Sequence, residues 1–366
     1  MSENLAKVSL SIAEQLARNE LLDMVPYQSA RRLFSSSEGQ NNIWLNANEA
    51  AGTGEYQINS DNINRYPDFQ PESLLTAYSQ YTQQPVENIL ATRGADEGIE
   101  LLIRTFCTAY QDNILICPPT YGMYAISAEN HGAGIVKVPL VGNQLDIDGL
   151  KAQVGKVKVV FLCSPGNPTG NLLPQEQLKT AIELFQDTAI VVVDEAYIEF
   201  CPDKSVISWL SEYKNLVIVR TLSKAFALAG LRCGFTLSSK EVITLLSKVI
   251  APYPIAAPVA EIASKALTND LGVMQARVNS AHSLREQLSE WLKQQKWCSE
   301  VFNSDANFVL FRCNNIDEKN KVFNFLVEHN ILIRDQSKQV QLDNCLRISI
   351  GSEDEISQLK QLLDTL

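Results

Sequence analysis

The sequence predicts an α/β fold in which a mostly parallel sheet is covered by helices and is followed by a smaller α/β domain. Short runs rich in β-branched residues recur in the first part of the 366-residue chain, with helical spacing of apolar residues between them. Continuous apolar strands that alternate with helices are typical of a parallel sheet buried on both faces. After about Pro258 the same alternation continues on a smaller scale, which indicates a second domain.

The elements of the large domain follow from these patterns. Apolar residues at helical spacing predict helices over Glu72 to Tyr81 and over Asp96 to Cys107. Continuous β-branched runs predict strands over Ile114 to Ile116, Val157 to Cys163, Ala189 to Val193 and Leu216 to Val219.

The small domain is predicted to begin with one long helix, over about Val259 to Lys293. The predicted elements after it are a strand over Asn307 to Phe311, a helix over Glu318 to Val327, strands over Ile331 to Ile333 and Leu346 to Ile350, and a helix over Asp354 to Leu366. We therefore predict an N-terminal segment over 1–55 that packs with the small domain, a large ligand-binding domain over 56–258 and a small domain over 259–366.

Composition and charge exclude several classes of protein. Hydrophobic residues make up 45% of the chain and charged residues 20%, so a disordered or fibrous chain is excluded. The 31 Lys and Arg against 42 Asp and Glu give a net charge of −11. This balance argues against nucleic acid or an anionic membrane as the main partner, because both attract clustered positive charge.

Cysteine usage and apolar runs indicate the compartment. The longest apolar runs, such as Ala189 to Val193, are far shorter than the roughly 20 residues of a membrane helix. Residues 1–17 carry acidic side chains and lack the continuous apolar stretch of a secretory signal. The eight cysteines form no CxxC pair and are predicted to be reduced, which favours a cytoplasmic protein.

Polar residues follow the predicted strands of the large domain at several places. In open α/β sheets the ligand lies outside the carboxyl ends of the strands, because the connecting loops and helix N-termini converge there. We therefore expect one ligand site that contains Gly94-Ala95-Asp96, Asn167, Asp194 with Tyr197, Ser223-Lys224 and Arg232.

Lys224 and Asp194 are the candidates for covalent and electrostatic chemistry. Lys224 follows a strand among apolar and small residues, so burial would keep its amine neutral, and an aldehyde would form an imine with it. Asp194 ends an apolar strand, where its carboxylate needs a cation such as a protonated pyridine nitrogen. The alternatives are a solvated surface lysine, and a helix cap or buried ion pair for the aspartate.

Asn167 and Tyr197 are candidates for holding a phenolic oxygen. Asn167 lies in Ser164–Gly170, whose two prolines and two glycines indicate a fixed turn, and Tyr197 lies three residues beyond Asp194. Both side chains can donate hydrogen bonds. The alternative for Asn167 is ordinary turn chemistry.

A phosphate site is indicated by the residues at the start of the predicted helix and by two residues near Lys224. Gly94-Ala95-Asp96 opens that helix, whose backbone N–H groups and dipole favour a phosphate. Ser223 and Arg232 are placed to hold the same phosphate. A helix cap at Asp96 and a surface ion pair at Arg232 are the alternatives. An amine, a carboxylate, phenolate donors and an anion site are together what pyridoxal phosphate requires.

Several motifs resemble the fold-type I, class II aminotransferases. They are Asn167-Pro168-Thr169-Gly170, Asp194-Glu195-Ala196-Tyr197, and Ser223-Lys224 followed by Gly230-Leu231-Arg232-Cys233-Gly234. Further segments are similar to the histidinol-phosphate aminotransferase family: Asn64-Arg65-Tyr66-Pro67, Arg93-Gly94-Ala95-Asp96-Glu97, Pro118-Pro119-Thr120-Tyr121-Gly122-Met123-Tyr124 and Ala196-Tyr197-Ile198-Glu199-Phe200. The similarity runs from about Tyr27 to the C-terminal helix. It implies the fold-type I transferase fold, with a seven-stranded sheet in the large domain, and a homodimer with shared active sites.

The resemblance also implies a role for each candidate residue. Lys224, Asp194 and Tyr197 would be catalytic, with Lys224 linked to pyridoxal 5'-phosphate and Asp194 paired with its ring nitrogen. The cofactor-binding residues would be Gly94, Ala95, Asp96, Tyr121, Asn167, Asp194, Tyr197, Ser223, Lys224, Arg232 and, reaching the phosphate of the other subunit, Tyr66. The substrate-binding residues would be Tyr27, Asn48, Tyr66, Asn167, Arg334 and Arg347, and no metal is implied.

The implied reaction is transamination between L-histidinol phosphate and 2-oxoglutarate, which gives imidazole-acetol phosphate and L-glutamate in histidine biosynthesis. Lys224 would move the proton, and ping-pong kinetics would follow because the same site empties and refills. Gly166 departs from the family pattern, which usually has Asn before Asn167, and this affects the local turn. An aminotransferase for aromatic amino acids or for a phosphoserine-type donor, and a non-enzymatic protein on the same scaffold, are the alternatives.

Other catalytic classes find little support in the sequence. The three histidines show no ligand-pair spacing for a metal. Ser211-Glu212-Tyr213-Lys214 and Ser60-Asp61-Asn62 occur in the reverse of the order found in penicillin-binding enzymes, and no K-T-G follows. Gly52-Thr53-Gly54 lacks the third glycine of a dinucleotide-binding turn.

Overall fold

The structure is a computed structural model that describes residues 11–22, 24, 42–52, 54–59 and 63–366. It divides into two compact units, Met1–Ser36 and Ser37–Leu366. The first unit contains two short helices, α1 (Ile12–Leu16) and α2 (Asn19–Leu22). Tyr27, predicted to bind substrate, lies outside the described residues. In the part of the chain that is described, no helix combines the length and apolar character that a membrane span requires.

The second unit contains the sheets and helices that position the candidate site. Its strands are β1 (Ile43–Trp44), β2 (Ile89–Thr92), β3 (Asn113–Ile116), β4 (Gly134–Lys137), β5 (Val159–Cys163), β6 (Ile190–Asp194), β7 (Leu216–Thr221), β8 (Gly234–Leu237), β9 (Cys298–Val301), β10 (Phe308–Cys313), β11 (Ile331–Leu332), β12 (Arg334–Asp335) and β13 (Cys345–Ser349). Its α-helices are α3 (Glu72–Thr82), α4 (Gly94–Phe106), α5 (Met123–His131), α6 (Ile147–Lys151), α7 (Gln175–Leu184), α8 (Lys240–Leu246), α9 (Ala257–Thr268), α10 (Leu271–Lys293), α11 (Ile316–Glu328) and α12 (Glu353–Leu363). Short 3-10 helices occur at Val86–Asn88, Ile198–Phe200, Pro202–Lys204, Ile207–Ser211 and Ala229–Leu231.

The large domain is built on a seven-stranded sheet of strand order β2-β8-β7-β6-β5-β3-β4. Strands β3 to β7 pair in parallel, and β8 is antiparallel to both of its neighbours. The prediction of a mostly parallel seven-stranded sheet is therefore confirmed.

Both faces of this sheet are buried, as the apolar runs predicted. On β6, Val191 and Val193 pack in one hydrophobic core, and Val192 between them packs in the other. Successive side chains of a strand point to opposite faces, so a strand covered by helices on both sides must be apolar at every position. This is why β5, β6 and β7 could be predicted from composition alone.

The small domain has an antiparallel sheet of order β12-β13-β10-β9, and β1 pairs with β11 in a separate parallel pair. The strand predicted over Ile331 to Ile333 is confirmed as β11, and the separate strand β12, which pairs in the other sheet, was not predicted. The helix predicted over Val259 to Lys293 is also two helices, which end and begin around Asn269 and Asp270. Short polar side chains of this kind compete for backbone hydrogen bonds and favour helix ends.

The long helix α10 joins the two hydrophobic cores. Met274 and Val278 pack in a core of the large sheet, whereas Leu284 and Leu288 pack in the core of the small domain. Leu45, which follows β1, packs in the small-domain core as well. The predicted divisions at residues 55 and 258 stay predictions. We propose that the change of core between Val278 and Leu284 marks the later boundary.

Candidate active site

The carboxyl ends of the parallel strands bring the candidate residues to one edge of the large sheet. The last residues of β5 and β6, Cys163 and Asp194, are direct partners in the sheet register, and Asp194 is opposite Val219 of β7. The loops that carry Asn167 and Lys224 therefore start from the same edge.

Lys224 is partly buried in the loop that follows β7. Its Nζ donates a hydrogen bond to the carbonyl oxygen of Ala47 at 3.0 Å and lies 5.6 Å from the centre of the Tyr197 ring. Burial, and then the positive charge of Arg347, lowers the pKa of the Lys224 amine to about 8. A substantial fraction of the amine is consequently neutral near pH 8, as a nucleophile or base requires.

Asp194 is a buried carboxylate, 2% exposed, at the end of β6. One of its oxygens accepts a hydrogen bond from the backbone N–H of Ala196 at 3.0 Å, and the other accepts one from the Tyr124 hydroxyl at 2.6 Å. Burial raises the pKa of Asp194 to about 6. No ion pair formed among the described residues includes Asp194, so a cationic ring nitrogen would supply a missing partner.

Tyr197 and Asn167 meet, as their predicted shared role requires. The Tyr197 hydroxyl accepts hydrogen bonds from the side-chain amides of Asn48 at 2.9 Å and Asn167 at 3.4 Å. A phenol that accepts two bonds still has its own proton to donate. Asn48 was predicted to bind substrate, and its left-handed backbone, with φ of 54°, turns its side chain to this hydroxyl.

The amide of Asn167 is oriented by Arg347. The guanidinium of Arg347 donates to the Asn167 side-chain oxygen and, at 3.1 Å, to the carbonyl oxygen of Asn46. Because a guanidinium only donates hydrogen bonds, it fixes the amide oxygen on its own side and turns the amide nitrogen toward Tyr197. Arg347 is also stacked over the Phe308 ring at 5.1 Å.

The predicted phosphate residues also come together. Arg232 donates to the Ser223 hydroxyl at 3.5 Å and to the Asp96 carboxylate at 3.3 Å. Gly94 begins α4 with φ of 76°, and a Cβ on it would stand 2.8 Å from Arg232 Nη2. This close backbone approach leaves room at the N-terminus of α4 for an anion. Because α4 begins at Gly94, the alternative of Asp96 as the helix N-cap was wrong.

Ala95 lies next to Gly94 in the first turn of α4, against β8. A Cβ added to Gly234 of β8 would stand 2.7 Å from the backbone nitrogen of Ala95, so only glycine permits this approach. Tyr121 is tied to the same turn, since its hydroxyl donates to Asp96 at 2.9 Å.

Arg334 and Tyr66 are the remaining predicted binding residues among the described ones. Arg334 on β12 is the direct cross-strand partner of Arg347 on β13, so the two side chains share a face of the small sheet. Tyr66 is 81% exposed, and its ring stacks on that of Tyr253 with centroids 4.4 Å apart. Its predicted reach to a second subunit stays a prediction.

Three contributors to the site were not predicted from the sequence: Tyr124, and the carbonyl groups of Asn46 and Ala47. Tyr124 lies in the segment Pro118–Tyr124, which drew attention only through its likeness to a family. The two carbonyl groups carry no side-chain signal.

The site fits pyridoxal 5'-phosphate. Asp194 offers a buried carboxylate without an ion-pair partner in the described chain, and Lys224 offers an amine of lowered pKa. Gly94 leaves space for an anion beside Ser223 and Arg232. In the same described residues, no group of three or more His, Cys, Asp or Glu side chains is arranged to hold a metal ion.

Comparisons with known proteins agree with this assignment. The family model of class I and II aminotransferases matches residues 37–366. The histidinol-phosphate aminotransferase of Colwellia psychrerythraea is 75% identical over 366 residues, which covers 96% of this chain and 100% of the relative. That of Yersinia enterocolitica is 49% identical over 348 residues, covering 94% of this chain and 91% of the relative.

Solved structures show the same fold. The histidinol-phosphate aminotransferase of Clostridium acetobutylicum matches with a TM-score of 0.76 and 27% identity, over 83% of this chain and 91% of that chain. That of Sinorhizobium meliloti, solved in complex with pyridoxal-5'-phosphate, matches with a TM-score of 0.83 and 22% identity, over 94% of this chain and 97% of that chain. On its sequence, its fold and the residues gathered around Lys224, the chain belongs to the class I and II aminotransferase family.

Proposed function

We propose that the chain is a pyridoxal-phosphate-dependent transaminase that converts L-histidinol phosphate and 2-oxoglutarate to imidazole-acetol phosphate and L-glutamate in histidine biosynthesis. The observation that carries this proposal is one site that holds the Lys224 amine, the buried Asp194 carboxylate and the arginine pair Arg334 and Arg347. Relatives that bear the name histidinol-phosphate aminotransferase, one of them 75% identical, support the choice of substrate.

The cofactor would be held by residues at the end of β6, in the first turn of α4 and in the segment between β7 and β8. Lys224 would be linked to its aldehyde carbon, and Asp194 would pair with its ring nitrogen. Gly94, Ala95, Ser223 and Arg232 would hold its phosphate, with Asp96 positioning the guanidinium of Arg232. When bound, pyridoxal phosphate supplies a protonated ring that withdraws electrons from the substrate Cα.

The residues of the chain would supply orientation and proton transfer. Asn167 and Tyr197 would donate to the ring oxygen, because Arg347 turns the Asn167 amide that way. Tyr121 would stack on the ring. The substrate amine would displace Lys224 from the aldehyde carbon of the cofactor, and the freed Nζ would then remove the proton from the substrate Cα. The Lys224 pKa of about 8 suits a base near neutral pH.

Arg334 and Arg347 would bind the charged ends of both substrates. Histidinol phosphate carries a phosphate and no carboxylate, whereas 2-oxoglutarate carries two carboxylates and no phosphate. Two guanidinium groups on one face of the small sheet can bind either kind of anion, because both offer paired oxygens. The same pair would then serve each half-reaction in turn, with Asn48 and Asn167 at its edge.

Absorbance and substrate preference test this function. The purified protein should show a visible band from the lysine-linked cofactor, which is lost in Lys224→Ala and kept in Lys293→Ala, where an exposed lysine pairs with Glu290. Steady-state kcat/KM should be higher with histidinol phosphate than with phenylalanine or phosphoserine. A preference for phenylalanine would contradict the substrate assignment.

The same proposal includes a homodimer in which Tyr66 reaches the cofactor phosphate of the other subunit. Support comes from the exposed rings of Tyr66 and Tyr253, which stack on each other at the surface, and from Ile63, three residues before Tyr66, which is also exposed. A cytoplasmic location is supported by the free thiols of all eight cysteines.

Mixing two inactive variants tests the shared site. If Tyr66→Ala and Lys224→Ala subunits exchange, each mixed dimer has one site with both native residues, so about a quarter of wild-type activity should return by random pairing. Activity that stays absent after exchange, with mixed dimers seen by mass spectrometry, would show that Tyr66 acts within its own subunit or not at all.

A further inference from the structure

We propose that Tyr124 is a positioning residue for the cofactor: its hydroxyl holds the Asp194 carboxylate in the orientation that pairs with the ring nitrogen and favours its ionised form. This inference rests on the proposed function, because it gives Tyr124 a role toward that cofactor. Neither the motifs nor the relatives' names assign any role to this tyrosine.

The geometry around Asp194 carries the proposal. The Tyr124 hydroxyl donates to Oδ2 at 2.6 Å, and the Ala196 backbone N–H donates to Oδ1 at 3.0 Å. The two donors use different oxygens, so together they fix the plane of the carboxylate. A distance of 2.6 Å is in the range of hydrogen bonds strengthened by an ionised acceptor.

Tyr124 is itself held rigidly. It is fully buried, and its ring stacks on Phe161 with centroids 4.7 Å apart and an interplanar angle of 10°. Its ring also meets Tyr121 edge to face at 5.6 Å and 88°. Tyr121 is the residue proposed to stack on the cofactor, and Asp194 is the residue proposed to pair with the cofactor's ring nitrogen. Tyr124 contacts both of these residues.

The charges near Asp194 explain why this donor matters. Asp96 on α4 and Glu195, the next residue, both disfavour a second negative charge, and burial acts in the same direction. The Cys163 thiol on β5 contacts the Tyr124 hydroxyl, and the phenol of Tyr197 also interacts with Asp194. Against them, the bonds from Tyr124 and Ala196 lower the pKa of Asp194. Tyr124 is thus the side chain that favours the ionised carboxylate.

Tyr124→Phe removes the hydroxyl and keeps the stacked ring. In the cofactor-free protein, isotope-edited infrared spectroscopy of aspartate, with Asp194→Asn to identify the band, should show Asp194 titrating about one pH unit higher than in the wild type. The dissociation constant for pyridoxal phosphate should rise roughly 10-fold or more, since a hydrogen bond to a charged group is lost.

Tyr213→Phe is the matched control. Its hydroxyl donates to the Glu183 carboxylate at 3.0 Å, so the change deletes the same kind of bond away from the site. This variant should keep wild-type cofactor affinity and the wild-type Asp194 titration.

An unchanged Asp194 titration in folded Tyr124→Phe would overturn the proposal. Because that titration needs neither cofactor nor substrate, it separates this failure from a failure of the proposed function, which the substrate rates report. If Tyr124→Phe does not fold, 3-fluorotyrosine at position 124 gives the second test. Its more acidic hydroxyl donates more strongly, so the Asp194 titration must move to lower pH, and no movement would refute the role.

Discussion

Arg334 and Arg347 are direct cross-strand partners on β12 and β13, so the small domain presents two guanidinium groups side by side. Like charges directly opposite in a sheet are destabilising. Arg347 is restrained by Asn167 and by the carbonyl oxygen of Asn46. We expect an anion bound by both guanidinium groups to offset their mutual repulsion, and the phosphate and carboxylates of the proposed substrates are such anions.

Replacing Arg334 should therefore separate substrate binding from cofactor binding. In Arg334→Ala we expect the KM for histidinol phosphate to rise about 10- to 100-fold, because hydrogen bonds to a charged group contribute about 1.5–3 kcal/mol. The dissociation constant of pyridoxal phosphate should stay within about twofold. Steady-state kinetics and a fluorescence titration of the cofactor-free protein measure the two.

Arg312→Ala is the control for this change, since Arg312 lies in the same small sheet and pairs with Glu300 at 3.0 Å. It should leave both constants unchanged. A KM for histidinol phosphate that stays at the wild-type value in Arg334→Ala would count against Arg334 as a phosphate ligand.

The lowered pKa of Lys224 gives a pH dependence with a definite sign. Only the neutral amine reacts with an aldehyde, so the rate of pyridoxal phosphate addition to the cofactor-free protein should rise with pH, with a midpoint near 8. In Arg347→Gln the midpoint should move to higher pH, because a positive charge that disfavours the ammonium is removed. Stopped-flow absorbance measures this rate, over a range of about pH 6–10 that extends roughly two units to either side of the expected midpoint.

Arg285→Gln serves as the control for Arg347→Gln. Arg285 donates to the Ala306 carbonyl oxygen and is not among the main groups that change the pKa of Lys224. Its midpoint should match the wild type. A midpoint that fails to rise in Arg347→Gln would remove Arg347 as a cause of the shift.

Removing the charge of Asp194 should lower the catalytic rate more than it lowers the fraction of protein with bound cofactor. In Asp194→Asn at saturating cofactor, we expect kcat to fall about 100-fold or more, because the ring nitrogen would lose the carboxylate that keeps it protonated and the cofactor would withdraw electrons less strongly. The lysine-linked absorbance band should persist, since Lys224 and the phosphate residues are intact. Undiminished turnover in this variant would contradict the pairing with the ring nitrogen.

Gly94 should tolerate no side chain. Gly94→Ala places a Cβ against Arg232 and forces alanine to adopt φ of 76°, so we expect a loss of about 1–3 kcal/mol of stability and weaker binding of pyridoxal phosphate. Gly230→Ala is a matched control, because its Cβ would meet no atom within 4 Å. Chemical unfolding and cofactor titration of both variants measure the difference. If Gly94→Ala bound pyridoxal phosphate with wild-type affinity, the close approach of the Gly94 backbone to Arg232 would not be needed to bind the phosphate.

The central strands and the residues that follow them could be predicted because their signal is local. A strand buried on both faces must be apolar throughout, as in β5, β6 and β7, and the polar residue at its end then stands out. Strands β2, β4 and β8 were not predicted. At the sheet edge, β4 is only partly buried, and β8 begins with glycine, so neither carries a strong apolar pattern.

Tertiary structure alone decided which distant segments complete the site. The carbonyl of Ala47 reaches Lys224 across 177 positions, and Asn48 reaches Tyr197 across 149. The register that sets Arg334 opposite Arg347 is likewise a property of the folded sheet. The residues next to a given residue in the sequence determine its backbone conformation and burial, and therefore whether it lies on a strand or in a loop. Its partners depend on how whole elements pack, because contacts between distant segments form only when both domains have folded against each other.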